Sequence, residues 1–354
     1  MHGGDLFGKS IELDASVNVN PLGAPEAVKQ ELQRVIETEL ECYPDPHHRS
    51  LKQALSKHFQ LEVENILCGN GASELIHAIC QSQAAKSALL LAPCFSGYTT
   101  ALRTSGTDIF YCGLRAKEEY MVTEPWLIEC FFPRLEEVNP ELVFITNPNN
   151  PNGACIPGEL LRRMLKACCD GQRLVVLDEC FLELTDCFPA TMIREIQQYP
   201  NLVVLRAFTK SFALPGLRLG YGICQSSQLC ESIERQLPEW NVSVLAERAG
   251  VVALREQAYL EEARTLIGEE RAFLEKGLKA LDFVVFPGNA NFILFYDERE
   301  KRKETWKEAM EQKKILIRDC SDYEGLTKGY YRIAVKSHTE NQRLLKTIED
   351  LMER

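Results

Sequence analysis

The segment Thr209-Lys210-Ser211-Phe212-Ala213-Leu214-Pro215-Gly216-Leu217-Arg218 puts two cations just beyond an apolar run, Leu202–Leu205. A lysine in such a place is most often a solvated helix start. Upstream, however, another apolar run, Leu174–Leu177, ends in Asp178-Glu179. An acid at the carboxyl end of a parallel strand points into the crevice where open α/β sheets bind ligands. Alone it is often only a helix cap. A lysine and an acid together can hold a ring cofactor at two points. The amine takes its carbonyl, and the carboxylate keeps its ring nitrogen protonated so that it accepts electrons from a carbanion.

Three further loops follow apolar runs. Gly69-Asn70-Gly71-Ala72-Ser73-Glu74 opens a helix with small residues, so its backbone N–H groups can approach a phosphate, with Arg218 supplying charge. Asn147-Pro148-Asn149-Asn150-Pro151-Asn152-Gly153 must be a tight turn in any case and could also place Asn150 beside a cofactor hydroxyl. Pro93-Cys94-Phe95-Ser96-Gly97-Tyr98 offers Phe95 either to the core or to stack on a flat ring. Lysine, acid, phosphate cup and stacking ring together meet the needs of pyridoxal phosphate.

Elements must position these groups. The chain has 354 residues, 45% hydrophobic, enough to bury a large core and unlike a disordered chain. Short apolar runs at Ala88–Ala92, Leu142–Thr146, Leu174–Leu177, Leu202–Leu205 and Leu219–Cys224 alternate with amphipathic stretches such as Glu74–Gln81 and Gly158–Cys169. That predicts a mostly parallel sheet covered on both faces, an α/β fold. Residues 11–19 alternate like a strand, 25–40 carry helical spacing, and a second helix runs from about Ser50 to Phe59. Residues 245–280 read as one long charged helix. An α+β tail follows, with strands at Phe283–Phe286, Phe292–Phe295 and Tyr331–Val335 and helices over 303–312 and 339–352.

The net charge of -11 argues against nucleic acid and anionic membrane as partners. No apolar run approaches the ~20 residues of a membrane span, and the first residues carry no signal-peptide pattern. The 14 cysteines include no C-x-x-C pair and sit mostly in apolar runs, so they predict reduced thiols, a cytoplasmic setting and no zinc site. None falls where the chemistry needs it.

Taken in order, GNGASE, NPNNPNG, the DE after LVVL, and TKSFALPGLRLGY resemble the fold-type I pyridoxal-phosphate enzymes of the class I/II aminotransferase group over nearly the whole chain. The resemblance implies a large domain with a mostly parallel seven-stranded sheet and a small α+β domain. The expected boundaries are an arm and helix over 1–42, a cofactor-binding domain over 43–242 and a small domain over 243–354. It implies that Lys210 carries the cofactor and is catalytic, that Asp178 pairs with the ring nitrogen, and that Asn150 bonds the ring hydroxyl. Gly71, Ala72, Ser73, Thr209 and Arg218 would hold the phosphate and Phe95 would stack on the ring. Tyr43 would reach the cofactor of a neighbouring subunit, which implies a homodimer with shared sites. The chain departs from many relatives in having Phe181 for a tyrosine and Ala207 for a phosphate-binding Ser or Thr.

Within that group the chain resembles the decarboxylases of threonine phosphate in cobalamin biosynthesis, and next the histidinol-phosphate aminotransferases. His2-Gly3-Gly4-Asp5, Asp14–Gly23, Phe181, the stretch Ile315–Leu326 and Tyr330–Ser337 favour the first. The resemblance implies a small phosphorylated amino acid as substrate, held by His2, Gly3, Asn20, Asn150, Arg318 and Arg332. Asn18 and Asn20 are either turn formers or arm contacts to substrate. Threonine phosphate or serine phosphate would lose its carboxylate; the alternative is amino transfer from histidinol phosphate. Residue types leave this choice open, because the bond that breaks at Cα is the one held perpendicular to the ring.

Overall fold

The computed structural model describes residues 3–299 and 304–353. In chain order the strands are β1 (Leu13–Asp14), β2 (Ile66–Gly69), β3 (Ser87–Ala92), β4 (Asp108–Gly113), β5 (Leu142–Thr146), β6 (Leu174–Asp178), β7 (Leu202–Ala207), β8 (Gly220–Cys224), β9 (Val284–Val285), β10 (Phe292–Tyr296), β11 (Ile315–Leu316), β12 (Arg318–Asp319) and β13 (Tyr330–Ala334). Strands β2 to β8 form one seven-stranded sheet in the order β2-β8-β7-β6-β5-β3-β4. Pairings from β7 to β4 are parallel, and β8 runs against both its neighbours.

Two apolar layers explain why the runs lack alternation. Leu89, Leu91, Val143, Ile145, Val175, Leu177 and Val204 pack into the core on one face. Leu90, Leu142, Phe144, Val176, Val203 and Leu205 pack on the other. Successive side chains point to opposite faces, so a strand covered on both sides must be apolar at every position. Each fully buried Leu or Val contributes ~1.5–3 kcal/mol.

The remaining strands make a four-stranded antiparallel sheet, β12-β13-β10-β9, and a short parallel pair, β1-β11. The helices Gln257–Ala280 and His338–Met352 cover this region through Leu274, Leu278, Leu344 and Ile348. On β13, Tyr331 and Ile333 enter that core. Arg332 between them therefore points to the opposite face, toward the large sheet.

Four expectations change. The alternating run 11–19 keeps only two strand residues, because after β1 the Ser16 N–H and hydroxyl both turn back to Asp14 Oδ1. β4 was not expected; it is a half-buried edge strand whose short run Ile109-Phe110-Tyr111-Cys112 is flanked by Asp108 and Gly113. The stretch 245–280 is two helices, Val244–Ala253 and Gln257–Ala280. They are separated by tight turns in which Arg255 and Glu256 donate to Val252 and Ala253, three residues back. Cys224 and Cys230 form a disulfide joining the end of β8 to the helix Ser227–Glu234, where free thiols were expected. Among the described residues no helix is long and apolar enough to cross a membrane.

Behind the ends of β6 and β7 lies a buried ionic cluster. Arg206 donates to Glu179 (2.8 Å), Glu183 (3.2 Å) and Thr191 (2.7 Å), and Glu179 also accepts from Thr191 and the Met192 N–H. It ties together the strands that carry Asp178 and precede Lys210. Breaking a buried ion pair leaves uncompensated charge. Arg206→Ala, which strands two carboxylates, should destabilise the protein by about 3–5 kcal/mol in chemical denaturation; a loss below 1 kcal/mol would refute this role.

Candidate functional site

A cavity of about 420 Å³ opens where β5, β6 and β7 end, and the last residue of each, Thr146, Asp178 and Ala207, lines it. This is the carboxyl edge of the parallel sheet, the place where such sheets bind ligands.

One end of the cavity suits an anion. The helix Ala72–Gln83 has no side-chain cap; its N-cap is Gly71 at φ +81°. The first N–H groups of a helix have no intrahelical partner, and Ala72 and Ser73 line the cavity. Two glycines shape this cup. A Cβ at Gly71 would meet the Arg218 guanidinium at 2.6 Å, and one at Gly220 would meet the Ala72 nitrogen at 2.5 Å. Gly71 is therefore not itself a lining residue; it lets Arg218 approach the helix end. Arg218 and Ala213 both adopt left-handed backbone, at φ +55° and +53°, bracketing the turn after Lys210. Such strain at a functional turn persists only when its surroundings enforce it.

In the middle stand Lys210, Thr209, Phe95, Asn150, Asp178, Cys180 and Phe181. The Lys210 ammonium lies 5.8 Å from the Phe181 ring centre. Burial, and then the Arg332 and Arg218 charges, lower its pKa to about 8. Asp178 accepts at Oδ2 from the Tyr98 phenol (2.6 Å) and at Oδ1 from the Cys180 N–H (2.9 Å).

Two arginines of the lining face each other across β12 and β13, Arg318 opposite Arg332. Like charges so placed repel. Arg318 is offset by Asp322, which takes its Nη2 through both oxygens at 2.7 and 3.0 Å. Arg332 is buried and, among the described residues, donates only to neutral groups: Asn150 Oδ1, Tyr323 Oη (3.4 Å) and the Ser16 carbonyl (3.0 Å). Among the same residues its Nε has no partner, and neither has the buried Asn18 Oδ1, also on the cavity wall. A buried cation with neutral partners and a spare donor is a site for an anion.

The structure thus gathers Ala72, Ser73, Phe95, Asn150, Asp178, Thr209, Lys210, Arg218, Arg318, Arg332 and Gly3 around one space. Asn20 is not among the residues lining the cavity. Its Nδ2 donates to the Ser211 carbonyl (2.8 Å) and its N–H to that of Lys210 (3.2 Å), so it braces the lysine turn, and Asn18 lines the cavity. Tyr43 is 82% exposed and does not line this cavity; its ring lies 5.3 Å from that of Trp240. His2 lies outside the described residues. Sequence reasoning did not assign Ser16, Val17, Ile76, Tyr98, Thr146 or Tyr323, and gave no cysteine a place, whereas Cys180 lines the wall. Tyr98 and Tyr323 stood in motifs already singled out; their hydroxyls were the available signal.

The residues fit pyridoxal phosphate. The uncapped helix end and Arg218 suit its phosphate, the low-pKa Lys210 its carbonyl, and the doubly hydrogen-bonded Asp178 its ring nitrogen.

Comparison with known proteins agrees. Residues 10–348 match the family described as aminotransferase class I and II. The chain is 34% identical over 341 residues to a threonine-phosphate decarboxylase of Salmonella typhimurium, covering 96% of this chain and 91% of that protein. It is 32% identical over 343 residues to histidinol-phosphate aminotransferase 2 of Archaeoglobus fulgidus, covering 96% and 93%. Among solved structures it resembles the histidinol-phosphate aminotransferase of Clostridium acetobutylicum, with a TM-score of 0.86, 30% identity and coverage of 96% and 98%.

Proposed function

Because the chain belongs to the class I and II aminotransferase family, we propose that it decarboxylates a small phosphorylated hydroxy amino acid, L-threonine O-3-phosphate or L-serine O-phosphate. Its cofactor is pyridoxal phosphate. When bound, the cofactor supplies a sink for the electron pair left on Cα as the bond to the carboxylate breaks.

The observation that carries the reading is the pair of facing arginines, Arg318 and Arg332, that line the same cavity as Lys210 and Arg218. A carboxylate that leaves as neutral CO2 surrenders its charge, so a cation gripping it stabilises the ground state more than the transition state. A phosphate keeps its charge throughout. Arg318 and Arg332 therefore hold the substrate phosphate, which leaves the carboxylate free to depart. The Lys210 amine delivers the proton that replaces it on Cα. Ser16, Val17 and Asn18, also of the lining, wall the cavity against water. Ala72, Ser73, Thr209 and Arg218 hold the cofactor phosphate, Asn150 the ring hydroxyl, and Phe95 a ring face.

Residues 43–242 form the cofactor-binding domain in this reading, with 1–42 and 243–354 packed beside it. Two such chains pair, bringing Tyr43 to the partner's cofactor. The exposed Tyr43–Trp240 pair supports this, since clustered exposed aromatics favour contact surfaces. The reaction sits in the cytoplasm, in the assembly of a cobamide.

The test is direct. Purified protein is given threonine phosphate, serine phosphate or histidinol phosphate, each with and without 2-oxoglutarate. CO2 release from a phosphorylated hydroxy amino acid, independent of the keto acid, is expected. One methyl is worth only ~1–3 kcal/mol in an apolar pocket, so both hydroxy amino acids should react, at different rates. Turnover of histidinol phosphate that requires the keto acid, with no CO2 release, would replace this reading by amino transfer.

A further inference from the structure

We propose that Tyr98 is a positioning residue that fixes the Asp178 carboxylate where it holds the proton of the cofactor ring nitrogen. The inference rests on Asp178 being the partner of that nitrogen. Tyr98 is 1% exposed, and its hydroxyl donates to Asp178 Oδ2 at 2.6 Å, within the range of a charge-assisted O–H···O⁻ bond. The other oxygen, Oδ1, accepts the Cys180 N–H at 2.9 Å. Two donors, one on each oxygen, fix the orientation of this buried carboxylate. The phenol holds its own proton, since burial and the Asp178 charge push its pKa well above the usual range.

The geometry fixes which way this bond points. Thr146 Oγ1 lies 3.0 Å from the Tyr98 oxygen. With the phenol hydrogen committed to Asp178, the threonine hydroxyl donates to the phenol. The ring cannot swing away. It stacks on Phe144 at 4.9 Å and meets the Phe95 ring edge-on at 5.6 Å. Tyr98 thus joins the ends of β5 and β6 to the loop that carries Phe95. Without the phenol, Asp178 Oδ2 loses the donor that fixes it, its hold on the proton of the ring nitrogen loosens, and the ring becomes a poorer electron acceptor.

Tyr98→Phe keeps the packing and removes the bond. Holoenzyme is prepared with pyridoxal phosphate carrying 15N in the ring, and its nitrogen resonance is recorded. Wild type should show a pyridinium signal; Tyr98→Phe should move toward neutral pyridine while still binding the cofactor. Losing a hydrogen bond to a charged group should lower kcat about ten- to a hundredfold, with KM little changed. If Tyr98→Phe does not fold, Thr146→Val serves, and a smaller shift in the same direction is expected. An unchanged nitrogen signal in a folded variant overturns the role of Tyr98, even if its melting temperature falls. A neutral nitrogen in the wild type overturns the pairing with Asp178 itself, and this inference with it.

Discussion

Lys210→Ala loses the yellow cofactor adduct and all measurable turnover. Borohydride treatment of the wild-type holoenzyme fixes the cofactor to Lys210; the variant yields no such peptide. Proton transfer by a positioned side chain alone contributes about 10²–10⁴-fold, and in the proposed function the lysine also carries the cofactor, so the loss should exceed that range. The site predicts a second, sharper signature. An amine captures a carbonyl only when neutral. Burial and the nearby Arg332 and Arg218 charges bring the Lys210 pKa down to about 8 from 10.5. A lowered pKa means that the neutral form gains ground at lower pH. Capture of added pyridoxal phosphate by the cofactor-free protein should therefore rise with pH through a midpoint near 8 and level off well above it. A midpoint near 10.5 would contradict these surroundings of the lysine.

Arg332→Ala separates substrate from cofactor. Removing one partner of a buried hydrogen-bonded charge pair costs ~2–5 kcal/mol, so KM for the phosphorylated substrate should rise about a hundredfold or more. The yellow colour should remain, because Arg332 bonds Asn150, Tyr323 and the Ser16 carbonyl rather than Ala72, Ser73 or Arg218, the proposed phosphate cup of the cofactor. Lysine at 332 should rescue little, since it lacks the planar fork that reaches Asn150, Tyr323 and the Ser16 carbonyl together. A variant that loses colour as well as affinity would show the cavity to be one coupled unit. Unchanged KM would remove Arg332 from substrate binding.

Much of this arrangement was legible in the residues. The central strands were plain because burial on both faces leaves no polar position to blur them, and Lys210 and Asp178 because each sits where such a strand stops. β4 was hidden because an edge strand tolerates Asp108 and Tyr111. Tyr98 was visible only as an aromatic, for its hydroxyl meets Asp178 across eighty residues of sequence. Ser16 could not be read at all, since it holds Arg332 with a backbone carbonyl, a group every residue has. Asn18 and Asn20 were interchangeable in sequence because the loop between β1 and the helix Glu26–Thr38 has no periodicity to say which faces inward.

The arginines and the cofactor cup also differ in when they come into being. The proposed cofactor contacts within one chain all fall between residues 71 and 218, whereas the substrate cations come from 318 and 332, and the carbonyl that steadies Arg332 from residue 16. A ribosome adding roughly 5–20 residues per second makes the whole cup several seconds before either arginine. The proposed cup is thus complete in the growing chain while the proposed grip on substrate still waits for the two ends of the chain to meet.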